Sequence, residues 1–362
     1  MRATRAVIDL NKLAHNIKLL SQKAEGREVM CIIKADAYGH GAIPVLHSLV
    51  DQGYHYFGVA TLEEAIELRQ ANDEISILIL GGISVDDIPE AYRHRIHVAI
   101  HNLAGLEVME KHGLEGLCHL KIDTGMHRVG FLPEDLPALA KRLVRIIPVG
   151  IFTHMARADE TDKTAALKQV TAFRQAVAVL EAAGAQFDLI HYANSAGILE
   201  MDLSFSTLVR AGIAMYGLAP SGEVGDERLQ PVMQLLSAVS DVRQIDVDEG
   251  VSYSHKFIAE RPTKVATLPI GYADGYKRNM SMKVSAWING EMWPQIGRIT
   301  MDQTMIDVTG MDVKVGDEVE LMGEHITADD LAKAADTINY EIVTNIGKRV
   351  RREYIERRSD GI

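Results

Sequence analysis

Short apolar runs alternate with amphipathic stretches from residue 29 to about residue 217. Eight of these runs have the length and the β-branched content of strands, and they cover Val29–Ile33, Tyr56–Ala60, Ile75–Leu80, Ile96–Ile100, Leu117–Ile122, Val149–His154, Leu189–Asn194 and Leu208–Ala211. Helix-forming stretches lie between them, such as Thr164–Ala183 and a run that opens with a capping box at Thr61–Glu64. Eight apolar parallel strands separated by helices favour a (β/α)8 barrel of the TIM type, within the α/β class.

The pattern changes after a segment rich in glycine, proline and charge, Pro220–Gln230. Six stretches then have the composition of antiparallel strands: Leu235–Val247, Val251–Tyr253, Lys264–Ile270, Val284–Trp293, Thr304–Val308 and Glu318–Met322. Asn289-Gly290 predicts a type I′ hairpin turn, Thr327–Thr337 a capped helix, and Tyr340–Thr344 a last strand. We therefore expect a barrel domain over residues 1–225 and a mostly antiparallel β domain over 226–362, with which the N-terminal strand could pair.

Composition excludes several classes of protein. The chain has 362 residues and a formal net charge of −12, which argues against a nucleic-acid partner because such binding needs a basic surface. No apolar run approaches the ~20 residues that span a bilayer, and the N-terminus lacks the apolar core of a secretion signal. Cys31 and Cys118 each lie in an apolar segment, which favours buried thiols over a disulfide or metal site. We expect a cytoplasmic protein without a membrane partner.

Polar residues follow the predicted strands at their carboxyl ends, where barrel enzymes keep their active sites. They are Lys34, Asp123, Arg128, His154, Asn194, Ser195 and Arg210. Lys34 alone is open to two interpretations: a solvated surface lysine, or an amine with a lowered pKa that attacks an aldehyde. A whole set at one edge of a barrel favours a functional site.

The segment Val29–Gly41, with the sequence VMCIIKADAYGHG, resembles the pyridoxal phosphate attachment segment of bacterial alanine racemases. The likeness extends over nearly the whole chain. It implies an amino-acid racemase of the alanine type that uses pyridoxal 5′-phosphate, with Lys34 as the attachment residue, and that supplies D-alanine for cell-wall synthesis. Racemisation removes a proton from one face of the α-carbon and returns one to the other, so a site with two opposed acid/base groups is the simplest.

Further motifs match the family's cofactor-binding positions. Asn194-Ser195 and the segment that begins Arg210-Ala211-Gly212-Ile213 match its cofactor-binding motifs, and Ser195, Gly212, Ile213 and Tyr38 match positions that contact the phosphate. Arg210 resembles the arginine that donates a hydrogen bond to the pyridine nitrogen of the cofactor. Together, His154 and Arg210 resemble the family's relay of side chains beside the second base. The alternatives are a helix N-cap at Asn194-Ser195 and a structural ion pair at Arg210.

The remaining assignments concern the substrate and the second base. By resemblance, Tyr253 takes the proton of the L form and Lys34 that of the D form, whereas Tyr253 taken alone would be a half-buried strand tyrosine. Arg128 resembles the arginine that pairs with the substrate carboxylate, and Met301 a substrate-contacting position. The lysine matching Lys121 is carbamylated in many relatives, and by the same resemblance Tyr272 lines the entrance with supporting residues that include Asp302. The resemblance also implies a homodimer in which each chain completes its partner's site.

This sequence departs from the family pattern at three positions. Lys348 stands where many relatives have a tyrosine that helps hold the phosphate and narrow the substrate space. Thr300 replaces a common cysteine, and Arg157 replaces a small residue or threonine. Lys348 leaves a serine or broad-specificity racemase as an alternative. A non-catalytic pyridoxal phosphate carrier is a second alternative, against which the β domain with Tyr253 and Met301 argues. A related decarboxylase is a third, but its acidic substrate-binding motif and its active-site cysteine are not found.

Overall fold

The computed structural model describes residues 3–143 and 146–356, which form two compact units. One unit comprises Leu13–Ala37 and Ala42–Gln230. The other comprises the described residues up to Lys12, the short segment Tyr38–Gly41, and the described residues from Pro231 onward. Within the described residues, no helix is both long enough and apolar enough to cross a membrane.

The first unit is a barrel of eight parallel strands, as the sequence predicts. The strands are β2 (Glu28–Ile32), β3 (Tyr56–Val59), β4 (Ser76–Ile79), β5 (His97–Ile100), β6 (Cys118–Lys121), β7 (Gly150–Phe152), β8 (Leu189–His191) and β9 (Leu208–Ala211). Each pairs in parallel with the next along the chain from β2 to β8, and β9 pairs with β2. The amide of Arg210 donates to the Ala193 carbonyl and that of Thr207 to the Ile190 carbonyl, which joins β9 to β8 and closes the sheet.

Helices surround these strands. Their bounds are Leu10–Lys23, Ala42–Asp51, Leu62–Ala71, Ile88–Arg93, Leu103–His112, Leu136–Arg142, Thr164–Ala182 and Ser195–Glu200, with short 3-10 turns at Val85–Asp87, Pro133–Asp135 and Ile213–Tyr216. The predicted capping box is present, because Thr61 Oγ1 accepts from the Glu64 amide and the Glu64 carboxylate accepts from the Thr61 amide. Cys31 and Cys118 are buried free thiols inside the strands, as predicted.

The second unit is built on a nine-stranded sheet that is antiparallel except for one pair. Its strands are β1 (Arg5–Asp9), β10 (Met233–Ala238), β11 (Asp241–Ile245), β14 (Thr263–Leu268), β15 (Ser285–Ile288), β16 (Glu291–Ile296), β17 (Thr304–Asp307), β18 (Glu318–Met322) and β19 (Arg351–Ile355). The N-terminal strand β1 pairs antiparallel with β10 and parallel with β19. Two short strands, β12 (Gly250–Val251) and β13 (Phe257–Ile258), pair separately.

The smaller elements of this unit agree with the sequence in part. The hairpin turn lies at Asn289-Gly290, where both residues have positive φ, and a helix capped by Thr327 covers Ala328–Ala335. Short 3-10 turns cover Tyr253–His255, Tyr272–Asp274 and Arg278–Met280.

Three predicted strands are wrong in type or extent. Tyr340–Thr344 is not a strand but part of a helix, Asn339–Thr344, whose buried residues Asn339, Ile342 and Val343 have helical spacing. The run Leu235–Val247 is two strands, because the chain leaves the sheet at residues 239–240 and the halves pair with different neighbours. The strand predicted at Val251–Tyr253 ends at Val251, because Ser252 has a φ of +63° that an extended strand cannot accommodate.

Candidate active site

Lys34 follows the end of β2 and opens a left-handed helical turn. The backbone φ/ψ angles are 52/51° at Ala35, 54/49° at Asp36 and 54/50° at Ala37, and Tyr38 has a φ of 54°. A run of four non-glycine residues in this region is strained, at about 1–2 kcal/mol per residue. Such strain persists only where the surroundings hold the backbone, and it is typical of functional sites.

Side-chain carboxylates support this turn. Glu64 Oε1 accepts from the Ala35 amide at 2.7 Å, while Glu64 Oε2 accepts from the Ala60 amide at 2.8 Å. Asp36 Oδ1 accepts from the Ala42 amide at 2.7 Å. Glu64 therefore joins the residue after Lys34 to the start of the helix Leu62–Ala71. Its role beyond the capping box was not predicted from the sequence.

Four basic side chains and His154 lie at the carboxyl ends of the strands, where burial and the positive charges lower the pKa of Lys34, Lys121 and His154. Burial lowers the pKa of Lys34, and the positive charge of Arg128 lowers it further, while Glu64 raises it. Burial, Arg128 and Arg210 lower the pKa of Lys121 to about 8. Burial and then Arg210 lower the pKa of His154 to about 3, so this imidazole is neutral at physiological pH. The barrel thus brings together a set of five side chains: Lys34, Lys121, Arg128, His154 and Arg210. This environment favours the unprotonated amines of Lys34 and Lys121.

Arg210 is buried on β9 and is held by acceptors on the neighbouring strands. Its Nη1 donates to His191 Nδ1 at 2.8 Å and to the His191 carbonyl at 3.1 Å. Its Nη2 donates to the carbonyls of Thr153 and Tyr192 and lies 3.3 Å from His154 Nδ1. No acceptor within the described residues bonds Arg210 Nε–H. Arg210 forms no ion pair with any carboxylate of the described residues. Within that part of the chain, the alternative of a structural ion pair is therefore wrong.

Ser195 and Gly212 meet beside Arg210. Asn194 caps the helix Ser195–Glu200 by accepting from the Gly197 amide at 3.1 Å, so the N-cap interpretation is confirmed. The buried Ser195 Oγ accepts from the Gly212 amide at 2.9 Å and from the Ala214 amide at 3.3 Å. Within residues 3–143 and 146–356, nothing accepts the Ser195 hydroxyl proton. Ile213 begins the buried 3-10 turn that follows.

Arg128 lies in a loop that Asp123 organises. Asp123 Oδ1 accepts from the amides of Gly125, Met126 and His127 at 2.9–3.1 Å. Burial raises the pKa of Asp123, but the amides of Gly125 and His127 outweigh that effect and lower it overall. The Arg128 side chain is exposed and makes no hydrogen bond to a described residue. Its charge nevertheless lowers the pKa of Lys34 and of Lys121.

The other predicted residues belong to the second unit. Tyr253, Tyr272 and Met301 are 71%, 41% and 52% exposed. The amides of Tyr272 and Ala273 donate to the carbonyls of Thr300 and Met301, so these two loops are joined. Ser252, next to Tyr253, donates to the Arg298 carbonyl at 2.8 Å.

Arg349, which was not predicted from the sequence, connects two carboxylates of this unit. It donates to Asp302 at 2.6 Å, and its Nε lies 3.5 Å from the buried carboxylate of Asp274. Asp274 in turn accepts from the Gly271 amide at 2.9 Å. Lys348, the departure from the family pattern, is exposed, whereas Tyr38 is buried and its ring centroid lies 6.3 Å from that of Tyr340. The sequence gives one signal for Arg349, which is its position directly after Lys348, where this chain departs from the family pattern.

Known proteins resemble this chain over nearly its whole length. Residues 8–220 match the family model "Alanine racemase, N-terminal domain" and residues 232–354 match "Alanine racemase, C-terminal domain". An alanine racemase of Clostridium novyi is 37% identical over 98% of this chain and 96% of its own. The structure is similar to that of alanine racemase from Clostridium difficile 630, with a TM-score of 0.93, 36% identity and coverage of 99% and 97% of the two chains. Alanine racemase from Bacillus anthracis, solved with bound L-Ala-P, gives a TM-score of 0.93 at 31% identity, over 99% and 96%.

Proposed function

Because this chain belongs to the alanine racemase family, we propose that it interconverts L- and D-alanine with pyridoxal 5′-phosphate. Membership makes it an isomerase, and family members use this cofactor. The observation that carries the proposal is the cluster at the carboxyl ends of the barrel strands, where the charge of Arg128 helps to lower the pKa of Lys34, and the charges of Arg128 and Lys34 help to lower that of Lys121.

The donors in the barrel fit the cofactor. Ser195 has a hydroxyl proton that no described residue accepts, and with Gly212, Ile213, Asn194 and Tyr38 it would hold the phosphate. Arg210 likewise has an Nε–H that no described residue accepts. It would donate to the ring nitrogen, with His154 at its side. The arginine cannot accept a proton from the ring nitrogen. It also does not give up its own proton, because a guanidinium stays charged. When bound, pyridoxal phosphate withdraws electrons from the α-carbon and makes its proton acidic.

Lys34 would attach the cofactor and then act on the D form. Its amine must be unprotonated for both tasks, and burial together with Arg128 favours that state. The left-handed turn and Glu64 hold the backbone on the carboxyl side of Lys34, so Nζ stays on one face of the site. Arg128 would pair with the substrate carboxylate, which suits a guanidinium whose side chain is exposed and not otherwise bonded within the described chain.

Lys121 supports the arginine in this proposal. Its pKa of about 8 gives it a fraction of neutral amine, which is the form that takes up carbon dioxide. A carbamylated Lys121 would be an anion beside Arg128 and would hold that guanidinium toward the substrate. An intact-mass measurement that shows an unmodified amine would contradict this part of the proposal and leave the rest standing.

The second base is Tyr253, and we propose that it reaches the site of a partner chain in a homodimer. The exposure of Tyr253, Tyr272 and Met301 supports a surface that another copy covers. Tyr253 would hold or give the proton on the face opposite Lys34, Met301 would contact the substrate, and Tyr272 and Asp302 would line the entrance. We further propose that the enzyme acts in the cytoplasm as a source of D-alanine for cell-wall synthesis, in agreement with its buried free thiols.

One experiment tests the core of the proposal. Purified protein loaded with pyridoxal phosphate is treated with borohydride, digested and mapped, and the label is expected on Lys34. In parallel, D-alanine formation from L-alanine is measured for wild type and Tyr253→Phe, with loss of the second base expected to abolish turnover. A label on any other lysine, or a wild type that leaves L-alanine unchanged, would contradict the proposal.

The shared site has its own test. Lys34→Ala and Tyr253→Phe subunits are each inactive in this proposal, but a mixed dimer contains one site with both bases intact. Mixing the two variants is expected to restore D-alanine formation, whereas mixing either variant with itself is the matched control. An absence of recovery in dimers shown to have exchanged subunits would count against sharing.

A second candidate is a racemase with serine or a broader set of amino acids as substrates. The exposed Lys348, in place of the family's tyrosine, favours it, because a lysine can bind a phosphate charge without narrowing the pocket as a phenol does. Turnover of alanine, serine and lysine by wild type and by Lys348→Tyr decides between the two. Serine turnover equal to or above that of alanine would establish the second candidate.

A further inference from the structure

Three histidines form a hydrogen-bonded line across the interior of the barrel. His191 on β8 accepts from Arg210 Nη1 at its Nδ1, and its Nε2 lies 3.0 Å from His119 Nδ1 on β6. His119 Nε2 lies 3.3 Å from Nδ1 of His97, the first residue of β5. His119 and His191 are fully buried, and His97 is half-buried. The line therefore runs from Arg210 to the amino end of a barrel strand, away from the candidate active site.

The neighbouring residues are shaped to hold these rings. A Cβ at Gly150 on β7 would lie 2.4 Å from His119 Nδ1, so only glycine leaves space for that ring. The ring of Phe152 stacks on that of His191, with centroids 4.8 Å apart and planes within 5°. The rings of His97 and His119 lie 5.4 Å apart. Each imidazole is thus fixed both by a hydrogen bond and by a packing partner or a neighbouring ring.

The direction of the hydrogen bonds follows from Arg210. Arginine has only donors, so His191 Nδ1 must accept, and a neutral ring then carries its proton on Nε2. That proton is donated to His119 Nδ1, which places the His119 proton on Nε2 in turn, and the same step applies to His97. We propose that His97, His119 and His191 are positioning residues, a chain of imidazoles locked in one tautomer that holds the Arg210 guanidinium in place for the cofactor ring.

The charges around the line keep it neutral. Burial, with Arg69, lowers the pKa of His97 to about 4. Burial lowers the pKa of His119 and of His191 well below the usual value, and the positive charge of Arg210 adds to the effect on both. Lys121 is a further cation near the line, and its Nζ lies 5.3 Å from the centroid of the Phe152 ring. A protonated ring in the line would have no acidic partner among the described residues, and protonation of His191 would remove one of the two acceptors of Arg210 Nη1.

The first test reads the tautomers directly. Histidine labelled with ¹⁵N is incorporated into the wild-type protein without cofactor, and long-range proton–nitrogen spectra are recorded at neutral pH. Substitution of each histidine in turn assigns its signals. Three neutral rings protonated at Nε2 are expected, and a ring that is charged or protonated at Nδ1 would overturn the proposal. This result does not depend on turnover, although the role toward the cofactor rests on the proposed function.

The second test uses His97, which is separated from Arg210 by two rings. His97→Leu removes the last acceptor, and it is expected to shift the His191 signals and to lower kcat about tenfold, as the loss of one net hydrogen bond would, without changing KM. His97→Asn keeps an acceptor near the Nδ1 position and is expected to restore both. His55→Gln, an exposed histidine outside the line, is the control and should change neither.

The outcomes separate this proposal from simpler ones. If His97→Leu leaves the His191 signals and kcat unchanged, the line does not reach Arg210 and the proposal is wrong. If both His97 variants lower thermal stability equally while kcat is unaffected, the histidines are only structural and the proposal is also wrong. If wild-type protein shows the expected tautomers but forms no D-alanine, the proposed function fails and the hydrogen-bonded chain remains.

Discussion

In the left-handed turn after Lys34, an alanine-to-glycine substitution should have the opposite effect on stability from the same substitution in a right-handed helix. Ala35 is exposed, has a φ of 52°, and contributes only its amide to the hydrogen bond with Glu64. Glycine adopts this backbone conformation without a steric penalty and keeps the amide. We therefore expect Ala35→Gly to stabilise the folded protein, whereas an alanine-to-glycine change in a right-handed helix destabilises it.

The size of the effect follows from two opposing terms. Relief of the left-handed conformation contributes about 1–2 kcal/mol, and the extra entropy of glycine in the unfolded chain removes about 0.5–1 kcal/mol. The net gain is about 0.5–1 kcal/mol, because the exposed methyl group of Ala35 contributes little burial. Ala178 is an exposed alanine inside the helix Thr164–Ala182, and the same substitution there should cost about 1 kcal/mol.

The assay is thermal and urea unfolding of Ala35→Gly and Ala178→Gly beside wild type. One kcal/mol moves the melting temperature of a domain of 150–250 residues by about 2–4 °C, so the two variants should differ by about 3–8 °C, with opposite signs relative to wild type. Because the strained turn holds Lys34, kcat should fall in Ala35→Gly and not in Ala178→Gly. A melting temperature for Ala35→Gly as low as that of Ala178→Gly would refute the reasoning.

Three further predictions concern charge. Glu64→Gln removes a carboxylate that raises the pKa of Lys34, so the rise of kcat with pH on D-alanine should move to lower pH, whereas the neighbouring exposed Glu63→Gln should leave the profile in place. Arg128→Lys keeps the charge but loses the two-pronged geometry, and kcat/KM should fall at least about tenfold; an unchanged value would show that Arg128 does not meet the carboxylate. Lys121 in its unmodified form has a folded pKa of about 8 against an unfolded value near 10.5, so the unfolded state binds the extra proton between these values and stability rises with pH there. Lys121→Met should flatten that rise, and an unfolding midpoint that depends on pH as in wild type would contradict the assignment.

Much of the fold could be predicted because it depends on neighbours close in sequence. The eight strands follow from runs of apolar β-branched residues, the capping box at Thr61–Glu64 from two residues three apart, and the hairpin turn from the tolerance of Asn289-Gly290 for positive φ. The closed barrel then places the strand ends at one edge, and this explains why the positions of Lys34, His154 and Arg210 after predicted strands already marked them as candidates.

The failures occur where distant residues override a local preference. Tyr340–Thr344 has the β-branched content of a strand, yet Asn339 donates to Asp329 of the preceding helix and the buried residues take helical spacing. No local pattern indicates a left-handed turn at Ala35–Tyr38, because each of these residues by itself prefers a right-handed or extended backbone. Glu64 shows the same limit, since its capping role is local and its bond to the Ala35 amide joins residues 29 apart.

The amino-acid sequence by itself therefore determined the order of the elements, the chemistry carried at the strand ends and the residues that match the family. The tertiary structure alone decided which of those groups share a charge environment and which polar neighbours orient them. His119 and His191 lie 72 residues apart in the chain and 3.0 Å apart in space. Burial and hydrogen bonding between such residues act only after the barrel has closed, so neither the lowered pKa of Lys34 nor the line of histidines behind Arg210 has a signal in the sequence.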